Sequence, residues 1–272
     1  MFKTALRALL FLSLSTTLVL ANLQGTYQTL RCTTIGDQFY SDTVLILNMT
    51  GANGSTVFTD QSNKHHGDAT PIGNAAVDTS TSPPSGTGSA VFAGVAFSPD
   101  LLFYNPSVDW QLGTLLFTIE AFIYPTDVAL GNRAIVARFG GSAPNLSWIL
   151  FQNGSQLFWN VSTTGSNNLN DLSGGLLVAA TWNPIAVDFD GTTYRLYVNG
   201  TMVDSSTTLR SIAATPSEGL AIGSNSDSNA LFFQGKIFGP RITLNRARYA
   251  TNGSYTVPIV PFPISAGSDG CQ

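Results

Sequence analysis

Charge is scarce in this chain. Only 10% of its 272 residues are Asp, Glu, Lys or Arg, the net charge is −4, and no run of Lys or Arg is present to neutralise phosphates. Nucleic acid is therefore not an expected partner. Histidine is limited to His65 and His66, and glutamate to Glu120 and Glu218. Two adjacent histidines in an extended segment point to opposite sides and cannot ligate one metal from one face, so both read as residues of a solvated loop. No Gly-x-Ser-x-Gly elbow and no phosphate loop occurs, which removes the common hydrolase and nucleotide signatures. Apart from the first twenty residues there is no long apolar run, no internal repeat and no long amphipathic helix pattern.

What the chain has is strand and turn grammar. It is 43% hydrophobic and rich in Gly, Ser, Thr and Asn, a composition that suits many short strands separated by turns. In YRLYVNGTMV, two alternating runs flank Asn199-Gly200, the dipeptide that supplies both positive-φ residues of a type I′ hairpin. The length fits one large sandwich with a single core. The divisions expected are 1–21, a hydrophobic leader; 22–41, a connecting segment; 42–264, the sandwich; and 265–272, a tail. TSTSPPSGTG, residues 79–88, reads as a low-complexity loop within it.

Six segments occur in a familiar order: DTVLILNMTGANGSTVFTDQS from Asp42, GSAVFAGVAF from Gly88, LGTLLFTIEAFIYPT from Leu112, SWILFQNGSQLFWNVS from Ser147, the block Thr193 to Tyr249, and RARYATNGSYTVPIVPFP from Arg246. Together, over roughly Tyr40 to Ile264, they resemble the laminin G-like, concanavalin A-like lectin/glucanase domains found in phage tail and other virion or surface proteins. The resemblance implies an all-β fold, a two-sheet antiparallel jelly-roll sandwich, that binds or builds more often than it catalyses.

Some relatives in that group are glycanases, which need two carboxyl groups about 5 Å apart. Here the positions two and five beyond Glu120 are Phe122 and Pro125, and Asp188 and Asp190 of VDFDG read as a strand-end turn. No catalytic residue is assigned. Many laminin G-like domains hold Ca²⁺ at one rim, but two acidic positions of the resembling domains are replaced here, in Phe92-Ala93-Gly94 and in Ile237-Phe238-Gly239-Pro240-Arg241-Ile242. Asp100, Asp109 and Asp227 are the remaining loop candidates for a structural Ca²⁺; no other cofactor is expected.

The termini carry further expectations. Lys3 and Arg7, a mixed apolar run of about 13 residues that is too short for a bilayer span of about 20, and Val19-Leu20-Ala21 form a secretory-leader pattern. A retained segment that anchors the chain in an assembly fits the same residues. Because the resembling domains bring their ends together, Cys32 and Cys271 are candidates for a clasp that requires an oxidising compartment. Two free thiols on tails fit equally. Seven Asn-x-Ser/Thr sequons, at Asn48, Asn53, Asn145, Asn153, Asn160, Asn199 and Asn252, are expected on exposed turns, where glycans are tolerated.

Strand alternation sorts the aromatic residues. It places Leu157, Trp159 and Val161 inward with Phe158 outward, and Tyr194, Leu196 and Val198 inward with Arg195 and Tyr197 outward. Sugar rings stack on exposed aromatic faces, so Phe158, Arg195 and Tyr197 are the candidate ligand contacts, with packed sheet faces or a subunit interface as the plain alternative. Trp110, Trp148 and Trp182 are assigned to the core. The expected function is a non-catalytic extracellular, secreted or virion-surface module whose partner is a glycan or a surface protein. Self-assembly as a coat, filament or tail-fibre subunit, and a secreted glycanase, are the alternatives.

Overall fold

The computed structural model describes residues 17–21, 27–31, 36–84, 86–94, 99–129, 131–227, 230–251, 253–258 and 261–267. Among the described residues, strands β1 (Thr17–Ala21) and β2 (Tyr27–Arg31) pair only with each other. The remaining strands are β3 (Thr43–Ile46), β4 (Thr70–Ile72), β5 (Ala76–Asp78), β6 (Ser89–Phe92), β7 (Leu101–Tyr104), β8 (Phe117–Pro125), β9 (Arg133–Phe139) and β10 (Leu146–Asn153). They are followed by β11 (Gln156–Val161), β12 (Leu169–Gly174), β13 (Asn183–Phe189), β14 (Tyr194–Val198), β15 (Thr201–Ser206), β16 (Leu220–Ile222) and β17 (Gly235–Leu244). A front sheet runs in the order β12-β11-β10-β9-β16-β7-β4, and a back sheet in the order β15-β14-β13-β8-β17-β6-β5 with β3 added beside β17. All pairings within both sheets are antiparallel, so the chain forms the jelly-roll sandwich that the resemblance implies.

The core lies between the sheets. Leu157, Trp159 and Val161 face it from β11, and Tyr194, Leu196 and Val198 from β14, as period-two alternation requires. Trp159 meets Trp148 at 5.8 Å and Phe117 at 5.6 Å, while Phe189 stacks on Tyr194 at 4.0 Å. Each such side chain contributes about 1.5–3 kcal/mol by leaving water. Trp182 lies at the margin of the core: it is half-buried and packed against it, contacts Tyr124 and donates Nε1–H to the Ser82 carbonyl.

Turn chemistry then fixes the register. Asn199 and Gly200 have φ of 53° and 76°, as the type I′ turn demands, and set Val198 opposite Thr201. In β17 the register shifts between Phe238 and Arg241, where Gly239 has φ 61°. This bulge lies in the second of the two segments where the resembling domains carry acidic residues, and it brings Arg241 opposite Glu120.

The segments that enter and leave the sandwich meet: Asp37 bridges Ala266 and donates its N–H to the Ser265 carbonyl at 2.9 Å. Cys32 and Cys271 lie outside the described residues, as does the sequon Asn252. Among the described residues, no helix is long and apolar enough to cross a membrane.

Candidate functional site

Arg195 and Tyr197 point away from the core as the alternation predicts, but they do not reach solvent. The segment after β17 crosses the outer face of the back sheet and roofs them. Tyr197 is fully buried, its hydroxyl donates to the Thr251 carbonyl at 2.9 Å, and its ring meets the edges of Tyr249 and Tyr255. Arg195 is 5% exposed and donates to Asp190 at 2.8 Å. Neither presents a face on which a sugar could stack. Alternation reports only the side of a strand, and a covering segment from elsewhere in the chain decides the exposure.

Beneath the same roof lies an ion network. Arg248 grips Asp37 with two bonds of 2.9 and 2.6 Å, Arg241 bonds Glu120 at 2.7 Å and Asp37 at 3.3 Å, and Tyr249 donates its hydroxyl to Glu120. Burial by itself would raise the Asp37 carboxyl, but the hydrogen bond and charge of Arg248, with the charge of Arg241, outweigh it and hold the group below its ordinary value. Glu120 thus has both oxygens committed to the fold. Asp188 and Asp190 flank Arg195 and are pushed apart: burial lifts Asp188 to about 6 against its backbone hydrogen bonds and Arg195, whereas hydrogen bonds from Thr192, Thr193 and Arg195 overcome burial and lower Asp190. Such a divergence is an acid/base signature. Asp188, however, is fully buried and accepts the Ala250 N–H at 2.7 Å under the roof, so no substrate reaches it.

Phe158 is half-buried on the outer face of the front sheet. It stacks on Phe151 at 5.3 Å and packs with Ala134, Ala137, Ile149 and Phe139 in a second apolar cluster. The Ca²⁺ candidates are not brought together. Asp100 is buried and accepts the N–H groups of Asn74 and Ala93, Asp227 accepts the Gly141 N–H, and Asp109 contacts His66. Among the described residues no group of three or more His, Cys, Asp or Glu is placed to hold a metal ion. Of the sequons, Asn53, Asn153 and Asn199 are exposed and Asn145 is half-buried. Asn48 and Asn160 are not on exposed turns: Asn48 exchanges two hydrogen bonds with the Phe262 backbone, and Asn160 is 8% exposed and donates to Asn168.

A site that the sequence does not announce forms around His66, which is half-buried. Its Nδ1 lies 2.9 Å from Asp60 and its Nε2 3.0 Å from Asp109, while its ring lies 4.4 Å from that of Trp110. Burial lowers its proton affinity, but the two carboxylates outweigh burial and raise it. Both ring nitrogens are therefore occupied, and no hydroxyl nucleophile is bonded to them as a hydrolytic triad requires. This clamp ties the 59–68 loop to the turn at 107–110, across 43 positions of sequence. Between them opens a cleft of about 290 Å³ whose walls carry Asp68, Thr70, Asn105 and Ser107 beside Phe103, Tyr104 and Trp110. Asp68, Thr70 and Asn105 are exposed, Phe103 is half-buried and Trp110 is fully buried. Only a loop with spaced aspartates hinted at it; the pairing of Asp60 with Asp109 through one imidazole is a product of the fold.

The family model Laminin_G_3, described as the concanavalin A-like lectin/glucanases superfamily, matches residues 104–250, and the chain belongs to that superfamily. No curated protein matches the sequence. Among solved structures, the binding domain of Paraclostridial Mosquitocidal Protein 1 is similar at 14% identity and TM-score 0.56, over 78% of this chain and 51% of that one. A botulinum neurotoxin type C structure, described by cell entry that depends on two ganglioside molecules, is similar at 10% identity and TM-score 0.57, over 76% and 49%. The binding domain of botulinum neurotoxin DC in complex with rat synaptotagmin II follows at 9% identity and TM-score 0.55, over 75% and 49%. This chain thus spans about half the length of those structures, and at such identities the likeness is one of fold.

Proposed function

We propose that this member of the concanavalin A-like superfamily is a non-catalytic glycan-binding module, displayed outside a cell or on a virion, with its ligand in the cleft between residues 66–70 and 103–110. The observation that carries this reading is the lining of that cleft. A carboxylate (Asp68), an amide (Asn105) and hydroxyls (Thr70, Ser107) surround a space bounded by aromatic side chains. Convergent acceptors and donors read sugar hydroxyls, and the half-buried ring of Phe103, with Tyr104 and Trp110 buried behind it, receives sugar C–H groups. The ganglioside interaction named for one structural neighbour and the complex with rat synaptotagmin II named for another support a partner of either kind, glycan or protein.

The absence of catalysis is supported by how the acids are used. The carboxylates of the two clusters and of the Asp188–Asp190 pair are each matched with Arg or His. Glycan-array screening followed by calorimetry tests the proposal. Binding is expected to fall at least about tenfold in Asp68→Asn and Asn105→Ala, the scale of losing one or two well-placed hydrogen bonds, with the melting temperature kept. Lack of binding to any glycan by the folded protein would count against it.

A further inference from the structure

The walls of the 66–110 cleft come from segments far apart in sequence, and His66 joins them through both of its ring nitrogens. We propose that His66 gates this cleft: as imidazolium it ties the 107–110 turn to the 59–68 loop, and as neutral imidazole it releases the turn, so that binding in the cleft depends on one proton. The inference rests on the reading of that cleft as the ligand site and adds its regulation.

The two ends of the clamp are built differently. Asp60 is fully buried and accepts the N–H groups of Ile46, Ser62 and His66 at 3.0, 2.9 and 3.0 Å, with the Ser62 hydroxyl at 2.9 Å. A carboxylate so enclosed keeps its donor, so the last ring proton stays on Nδ1. Asp109 stands at the other end, on a three-residue turn, with 20% of its side chain exposed. Loss of the second proton leaves the bare Nε2 facing the Asp109 carboxylate across 3.0 Å, two acceptors in contact. Asp109 has an alternative, because its other oxygen lies 3.6 Å from the exposed Lys64 Nζ.

What the clamp releases is part of a cleft wall. Ser107, which lines the cleft, caps the turn by accepting the Asp109 N–H at 3.2 Å. Trp110 is held independently: its Nε1–H donates to the Asn105 carbonyl at 3.1 Å, and Trp148 Nε1–H donates to the Trp110 carbonyl at 2.9 Å. Release is therefore confined to residues 106–109, and the core stays shut. A ligand that bridges Ser107 and Asp68 selects the closed clamp and, by reciprocity, raises the proton affinity of His66.

The charged and titratable groups around the ring come from three elements. Its own loop supplies Asp60, Lys64 and Asp68, the turn supplies Asp109, and β7 supplies Tyr104, whose ring lies 6.3 Å away. Tyr40 donates its hydroxyl to the Gln61 carbonyl beside Asp60. None of these groups belongs to a metal-ligand set among the described residues. Burial alone would raise Asp60, but hydrogen bonds from His66, Ile46 and Ser62 outweigh it and hold the carboxyl low, while burial and the charge of Asp60 hold both phenols high. For His66, burial lowers proton affinity and the two carboxylates more than restore it. The clamp is therefore closed below a midpoint that lies above 6.5 and opens as pH climbs through it.

The test begins without ligand, on ¹³C-labelled full-length protein at pH 6 and pH 9, between the reference values of carboxylates and those of ammonium and phenol groups. Cα relaxation is expected to show residues 106–109 ordered at pH 6 and mobile at pH 9, with the midpoint of the His66 ring protons; exposed His65 gives the control resonance. Asp109→Asn supplies an amide that donates to a bare Nε2 and accepts from a protonated one, so its turn should stay ordered at both values. His66→Gln should be mobile at both. A glycan array is then read at the same two values. The parent signal should fall at least about fivefold from pH 6 to pH 9, the lower end of coupling between sites, and the Asp109→Asn signal should not change. The proposal is overturned if the parent turn is equally ordered at both values, if parent binding is independent of pH, or if Asp109→Asn keeps the parent's pH dependence. A blank array with a turn that still loosens would overturn the glycan reading and uphold the gate.

Discussion

Two clusters in this molecule share a plan, a cation held between two carboxylates, and differ in the cation. On the back sheet Arg241 sits between Asp37 and Glu120; at the edge of the front sheet His66 sits between Asp60 and Asp109. Guanidinium is charged at any pH a folded protein meets, so the first cluster is permanent. Imidazole carries its charge only below its pKa. Neutral His66 turns one bare ring nitrogen towards a carboxylate, and the second cluster becomes conditional. The permanent one secures the roof over the back sheet, and the conditional one secures the walls of the 66–110 cleft.

The contrast is broken most severely at Glu120. Glu120→Ala leaves Arg241 and the Tyr249 hydroxyl without their main partner in a buried site, and a loss of about 3–5 kcal/mol is expected. Urea unfolding should report that loss as nearly constant from about pH 6 to 9, because no partner in the cluster titrates there.

A smaller effect of opposite sign is expected one strand away. Asp188 has one buried oxygen without a hydrogen bond, and burial lifts its pKa to about 6. The folded state therefore holds the proton more tightly than the unfolded one, and stability falls as pH rises from the unfolded value of 3.8 through about 6. Asp188→Asn keeps an acceptor for the Ala250 N–H and removes the charge. It should stabilise the protein by roughly 1–3 kcal/mol above that window, and not below it. Equal unfolding curves at neutral pH would refute this reading of the roof.

The least effect, about 1 kcal/mol, is expected from His66→Gln. Its sign follows from a raised pKa: the clamp contributes fully below the unfolded value of 6.5 and fades as pH climbs through the folded one. Parent and variant should differ in acid and converge in alkali. A difference that is independent of pH would mean that the two clusters are alike after all.

Much of the fold is legible in local pattern. Asn199-Gly200 specifies its hairpin, and alternation in β11 and β14 sorts inner from outer side chains correctly. The site is far less legible. Phe158, Arg195 and Tyr197 lie on the outer faces as read, yet Tyr197 is sealed by Tyr249 and Tyr255, and Phe158 serves an apolar cluster of its own. Asn48 and Asn160 carry the sequon pattern but are buried, because a three-residue motif contains no information about what packs over it. His66 reads as a loop residue because its two partners are remote in sequence.

The sequence alone determined antiparallel strands, their hairpin turns and their inner and outer sides, since side-chain period and turn residues are local properties that survive without knowledge of the whole; the resemblance of six ordered segments supplied the two-layer sandwich. Which outer residues meet water, which acids meet a cation, and where a cleft opens were decided only by the tertiary structure. Each of those depends on segments far apart in sequence arriving at one place, and a period of two says nothing about who arrives.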